Sequence, residues 1–208
     1  MLLHISNGGF IMITPIAGID YSLRGPSICV YHGINAFTGE ESDIFSFENC
    51  SFFYLTDVKK YADNFLGNIH GKLLSDVESD LSRYDSISAW ALDIILKYNC
   101  EQVALEGYSF GSKGKVFHIA ENTGVLKYKF FQNSIPVDII APTTIKKYAT
   151  GKGNADKTAM HESFKTETDR DLHDEITPLK KEVSNPVSDI VDSYYICKLF
   201  HERLRESC

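Results

Sequence analysis

The chain has 208 residues, of which 43% are hydrophobic and 24% charged, and its formal net charge is −7. These values describe an ordinary globular protein with a core large enough to need no staples, so a single domain over 1–208 is expected. No apolar run is long enough to span a bilayer, and the N-terminal stretch lacks a basic n-region, which points away from a membrane or secretory protein and toward the cytoplasm. The five cysteines form no C-x-x-C pair and are odd in number, which argues against a zinc site and a disulfide framework.

Regular pattern begins only after Met12, a second candidate start. Residues 16–22 read as a first strand, followed by a turn at Leu23-Arg24-Gly25-Pro26 and a second strand over 27–34. Residues 44–55, rich in phenylalanine, read as a third strand with a bulge near Asn49. Such short connections make antiparallel neighbours. Residues 57–75 carry no clear period. Over 77–98, Leu81, Tyr84, Ile87, Trp90, Ala91, Ile94, Ile95 and Tyr98 recur at spacings of three and four, the stripe of an amphipathic helix.

A strand ending at Glu106 follows, then a glycine-marked loop and a helix over 116–131. Residues 136–141 read as a strand, and Pro142 starts a helix through Tyr148. After the turn at 150–156 comes a helix over 155–164. Residues 165–182 are dense in charge and contain Pro178, so a mobile loop is expected there. Asn185 as N-cap and Pro186 at the first helical position begin the last helix, which runs to about Arg205. The order implies an α/β fold. Its sheet should have five strands, an antiparallel meander continued by parallel strands from right-handed crossovers, with helices on both faces.

Four acids stand out against this frame. Asp20 and Glu106 each end an apolar strand, and Asp189 and Asp192 lie three apart on one helix, hence on one face. A carboxylate at the end of a buried strand is costly unless its charge is offset. Each acid alone also has an ordinary explanation, as a turn residue or a first-turn acid complementing the helix dipole. Together, if they converge, they are the donor set for two Mg²⁺ ions, with Mn²⁺ as a substitute, and two such ions can drive an in-line phosphoryl displacement. Charge distribution is compatible with a polyanionic partner: over 107–155 seven lysines face only Glu121 and Asp138, seven minus two giving +5, although lysines also simply decorate soluble surfaces.

The chain resembles the RuvC family of Holliday-junction resolvases, within the RNase H-like and retroviral-integrase superfamily. Gly18-Ile19-Asp20-Tyr21-Ser22 resembles the family's first-strand aspartate motif and Leu105-Glu106-Gly107-Tyr108 its glutamate motif. The segment Ala141-Pro142-Thr143-Thr144-Ile145-Lys146-Lys147, followed by Gly151-Lys152-Gly153-Asn154-Ala155-Asp156-Lys157, resembles the proline-to-lysine segment, and Asp189-Ile190-Val191-Asp192-Ser193 the C-terminal acid pair. The aromatic third strand and the charged 165–182 segment look like phage-encoded relatives. Tyr21 and the long turn after it depart from the family's compact glycine turn and put the entry of the second strand in question.

The resemblance implies that Asp20, Glu106, Asp189 and Asp192 bind the metals and that Lys157 is a catalytic, basic residue near the scissile phosphate or the attacking water. It implies further that Tyr108, Phe110, Lys113, Lys115, Lys146, Lys147 and Lys152 contact DNA. Tyr108 and Phe110 could equally pack beneath their loop. The G-K-G turn lacks the spacing of a nucleotide-binding loop, so no nucleotide cofactor is expected. The implied activity is metal-dependent cleavage of four-way junctions by a homodimer, since a junction with two-fold symmetry needs two cuts. The helix at 77–98, with Tyr84, Trp90 and Tyr98, is one candidate for the dimer interface. A flap- or fork-preferring nuclease and a non-catalytic DNA-binding module of the same fold are the alternatives.

Overall fold

The computed structural model describes residues 4–5, 11–12, 15–33, 44–108 and 116–207. A two-stranded ribbon, β1 (His4–Ile5) and β2 (Ile11–Met12), precedes the main sheet. That sheet is built from β3 (Ile16–Asp20), β4 (Ser27–Tyr31), β5 (Cys50–Thr56), β6 (Asn64–Phe65), β7 (Ile69–Leu73), β8 (Gln102–Glu106) and β9 (Val137–Ile140), in the order β6-β7-β5-β4-β3-β8-β9. The β3-β4-β5 meander is antiparallel, and β8 and β9 add in parallel beside β3. Among the described residues six α-helices accompany it: α1 (Asp80–Lys97), α2 (Val116–Gln132), α3 (Pro142–Thr150), α4 (Lys157–Thr168), α5 (Leu172–Ile176) and α6 (Val187–Glu206). Among the described residues none is long and apolar enough to cross a membrane.

The sheet has seven strands rather than five, because 57–75 contributes two. Its pattern was hidden by polar residues on the sheet edge. Within β7, Gly71 is required: a methyl group there would lie 2.5 Å from the carbonyl oxygen of Tyr61 and 2.6 Å from the Tyr54 ring. The expected strand over 44–55 begins only at Cys50, since Phe47–Asn49 form a 3-10 turn. Two asparagine side chains hold that turn. Asn68 Nδ2 donates to the carbonyls of Phe47 and Cys50, and Asn49 Nδ2 to that of Ile44. Bonded this way, those backbone groups no longer need a ladder.

Alternation splits the core into two layers. Ala17, Ile19, Ile28, Val30, Val103 and Leu105 face α1 and α2, while Ile16, Cys29, Phe52, Tyr54 and Ala104 face α6 and the α3–α5 group. In α1, capped by the Ser79 hydroxyl, Tyr84 is buried, and Trp90 and the C-capping Tyr98 are half-buried and pack against the core, so the aromatics offered for a dimer surface are largely spent on the interior; Leu81, counted in the stripe, is exposed. Half of the expected loop at 165–182 is helical. It comprises the end of α4, a left-handed turn at Asp169, and α5, whose Leu172 and Ile176 are buried. The last helix begins at Val187 with Pro186 in the cap position, one residue later than expected, which leaves the Asn185 side chain free of capping duty.

Candidate active site

The strand period determines where the first two acids point. Ile16, Gly18 and Asp20 project to one face of β3, and Ala104 and Glu106 to the same face of β8. These parallel strands pair Gly18 with Ala104, so Asp20 and Glu106 end neighbouring strands on the α6 side of the sheet. Helix α6 crosses that face very closely. A methyl group at Gly18 would fall 2.2 Å from Cys197 N and 2.6 Å from Cys197 Cα, so only glycine admits the helix backbone there. From that contact the positions Ser193 and Asp189 step back along one helical face toward the strand ends. Ser27, at the start of β4, shares a hydrogen bond with Ser193 (3.0 Å), which fixes the helix one turn after Asp189 and next to Asp192. The hairpin from β3 to β4 keeps full register, Asp20 opposite Ser27, with Gly25 N donating to Ser22 Oγ across the turn (3.0 Å). The longer turn after Asp20 therefore leaves the second strand's entry intact.

Burial and mutual repulsion act on all four acids in the same direction. Asp20 is held well above the usual carboxylate range, first by burial and then by the charges of Glu106, Asp189 and Asp192. Burial and Asp192 push Glu106 up to about 7. Burial raises Asp189 to about 7, with Lys157 opposing and Asp192 adding, and raises Asp192 to about 6, with Lys157 and Lys146 opposing. Each acid thus lies within electrostatic reach of at least one other. Asp189 is 6% exposed, and its Oδ2 has no hydrogen-bond partner among the described residues. Such an atom in a native interior calls for an ion or a water.

A divalent cation fits this donor set in chemistry: hard carboxylate oxygens, one of them buried and unpartnered. Among the described residues, no three His, Cys, Asp or Glu side chains are drawn close enough together to enclose an ion.

Lysines supply the opposing charge. Lys157, first residue of α4 behind the Asp156 cap, donates to Asn185 Oδ1 (2.9 Å) and Ser188 Oγ (3.0 Å). Its charge acts on Asp20, Asp189 and Asp192, and that of Lys146 on Glu106 and Asp192. Lys147 and Lys152 are exposed, at the end of α3 and in the turn beyond Gly151. Tyr108 is half-exposed on the rim of a cleft of about 310 Å³ beside the acids, lined also by Asp20, Tyr21, Arg24, Glu106, Val116 and Ile119. Phe110, Lys113 and Lys115 lie outside the described residues. Sequence reasoning missed Ser188, Asn185 and Lys180. Ser188 Oγ is 3.1 Å from both Asn185 Oδ1 and Asp189 Oδ1, and Lys180 donates to the Asn185 carbonyl and to Ser184 Oγ. Asn185 carried a signal that was read only as a cap, and Lys180 was hidden in the charged 165–182 stretch.

Known proteins show the same architecture. Thermus thermophilus RuvC is 17% identical, with a TM-score of 0.56 over 92% of this chain and 97% of that one. The same protein in complex with a Holliday junction substrate gives 16%, 0.57, 93% and 97%. The yeast mitochondrial Holliday junction resolvase Ydc2 is 12% identical, with a TM-score of 0.51 over 94% of this chain and 83% of that one. At these identities the likeness concerns the fold. A search of curated protein sequences finds no match. The family profile described as crossover junction endodeoxyribonuclease RuvC matches residues 71–187, a span that includes Glu106, Lys146 and Lys157 and ends just before Asp189. That match covers more than half of the chain, and the chain belongs to the RuvC family.

Proposed function

We propose that this protein is a Mg²⁺-dependent endonuclease that cuts four-way DNA junctions, acting as a homodimer of single-domain subunits. The observation that carries this reading is the convergence of Asp20, Glu106, Asp189 and Asp192 at one end of the sheet, their protonation raised by burial and by one another. Those four residues would hold two divalent ions, which when bound supply charge neutralisation and an activated water for phosphodiester hydrolysis. The chain's own part is to fix the acids on rigid elements, to keep Lys157 beside them as a phosphate contact, and to offer Lys146, Lys147, Lys152 and Tyr108 to the DNA around them. The related resolvase seen with its Holliday junction substrate supports the branched-DNA partner.

The homodimer reading finds its surface on α2 rather than α1. Phe117, Tyr128 and Phe131 are 82%, 60% and 78% exposed and share one face of α2 with Gly124, above which nothing lies within 4 Å. Phe117 and Phe131 stand seven residues on either side of Gly124. A two-fold axis at Gly124 would set each ring against the other copy's opposite end, as an isologous interface requires. With exposed Leu81 of α1, whose neighbour Asp80 meets His118 of α2, two copies would bury on the order of 1,000 Å², the lower bound for a specific interface.

The test is cleavage of a synthetic four-way junction, a flap and plain duplex in Mg²⁺, Mn²⁺ and EDTA. Nicking of the junction that requires the metal is expected. Asp20→Asn and Asp189→Asn should bind the junction without cutting it. Undiminished cutting by both variants rejects the metal-site assignment, and preferential cutting of the flap moves the substrate to the fork-preferring class.

A further inference from the structure

We propose that Asn185 is a positioning residue for Lys157: its neutral amide oxygen holds the ammonium over the acids without neutralising it, an assignment that rests on the catalytic reading above. The Lys157 stem is long and flexible, and its head must be held if its charge is to act at one place. Two acceptors hold it, Asn185 Oδ1 at 2.9 Å and Ser188 Oγ at 3.0 Å, and both are uncharged. Among the described residues Lys157 has no carboxylate within 4 Å, although its charge reaches Asp20, Asp189 and Asp192. A carboxylate at position 185 would bind the ammonium as a private ion pair; an amide leaves the full charge available to the acids or to a phosphate.

Asn185 is itself immobilised from two sides. Its carbonyl accepts from Lys180, whose ammonium also reaches Ser184 Oγ (3.0 Å) and lies 5.0 Å from the centre of the Tyr61 ring. Its Nδ2 abuts the loop after β3, where a methyl group at Gly25 would come within 2.9 Å of Nδ2 and 2.6 Å of Asp189 Oδ2. Asn185, though exposed, thus lies between the turn that follows Asp20 and the start of α6. Ser188 completes the link. Its single proton can go to Asn185 Oδ1 or to Asp189 Oδ1, both at 3.1 Å, while its lone pair takes the lysine proton. One side chain thus ties the lysine, the turn and the helix bearing the acid pair into one geometry.

A double-mutant cycle decides the assignment. Lys157→Ala, Asn185→Ala and the double variant are compared in single-turnover cleavage of a four-way junction in Mg²⁺, in junction affinity in EDTA, and in melting temperature. Asn185 is exposed, so the variant should fold. If Asn185 acts through Lys157, Asn185→Ala should slow cleavage roughly tenfold to a hundredfold, the loss typical of displacing a group by about 1 Å, and should add nothing in the Lys157→Ala background. Affinity and melting temperature should stay unchanged. In the metal-free protein the ammonium NMR resonance of Lys157, sharp in the wild type, should broaden in Asn185→Ala. Effects on rate that multiply in the double variant, or an unaltered ammonium resonance, overturn the proposal. If wild-type protein cuts no branched DNA, the proposed function fails, and the resonance alone still decides whether Asn185 holds the lysine.

Discussion

Without metal, the folded chain should lose stability as pH rises from 6.5 to 8. Glu106 and Asp189 are held up to about 7, and Asp20 well above its ordinary value, while in the unfolded chain all three titrate near 4. In the interval between, the folded state binds protons that the unfolded state has released. Stability from this source is complete below about pH 4 and fades as pH passes through the raised values. Depressed histidines act in the opposite sense: His32, His70 and His161 are lowered by burial and cost stability as pH falls through 6.5. At pH 6.5 those imidazoles are still half protonated in the unfolded chain, so between pH 6.5 and 8 they offset the fall by up to about 1 kcal/mol together, and the comparison of wild type with Asp189→Asn, which keeps all three histidines, isolates the acid. At pH 6.5 a group with a folded value near 7 contributes roughly 1 kcal/mol, and at pH 8 almost nothing. Glu106 and Asp189 together make a fall of about 1–2 kcal/mol, on the order of 3–8 °C in a chain of this size, with Asp20 adding to it. Melting in EDTA at pH 6.5, 7, 7.5 and 8 measures the fall, and Mg²⁺ at pH 8 should reverse it by binding the ionised acids. Asp189→Asn should flatten the EDTA profile and lose much of the response to Mg²⁺. A wild-type midpoint that falls no more steeply than that of Asp189→Asn between pH 6.5 and 8 in EDTA, or a variant that responds to Mg²⁺ like the wild type, refutes the electrostatic account of the site.

Two further outcomes follow from the packing. Gly18→Ala places a methyl group 2.2 Å from a backbone atom of α6, which cannot rotate away. It should cost about 1–3 kcal/mol and, by displacing Asp189 and Asp192, lower junction cleavage at least as strongly as it lowers stability; melting and cleavage measured on the same preparation test both halves, and wild-type values in both contradict the tight crossing. Phe117→Ser with Phe131→Ser removes the two outer rings of the α2 stripe and should yield monomers in sedimentation equilibrium with the melting temperature little changed; a persistent dimer means that the subunits meet elsewhere.

The acids were legible because burial makes their cost visible in one dimension. An apolar run that ends in a carboxylate, as at Asp20 and Glu106, requires something to offset the charge wherever the strand lies. The helical pair Asp189 and Asp192 was legible through its spacing, which alone puts two groups on one face. What brings the two kinds together was not legible. Gly18 reads as an ordinary small residue in a strand, yet its missing Cβ sets how closely α6 approaches β3, and its neighbour in that contact, Cys197, is 179 positions away. Asn68 likewise helps terminate a strand by bonds to Phe47 and Cys50, made across the fold rather than along the chain.

The same limit explains the misreading of 165–182. Charge density marks a segment that cannot fold by itself, but here the charges have partners on neighbouring elements. Lys165 meets Asp171 at 2.6 Å, Lys198 meets Glu167 at 2.7 Å, and the Tyr194 hydroxyl donates to Glu167 at 2.6 Å. Leu172 and Ile176, spaced four apart, then anchor α5 in the α6 layer of the core. Ion pairs at partly exposed positions contribute little individually, so it is the two buried side chains that decide the segment's structure. Through Lys180 this segment reaches Asn185, and so the stretch whose composition suggested independence from the site supplies one of the contacts that shape it.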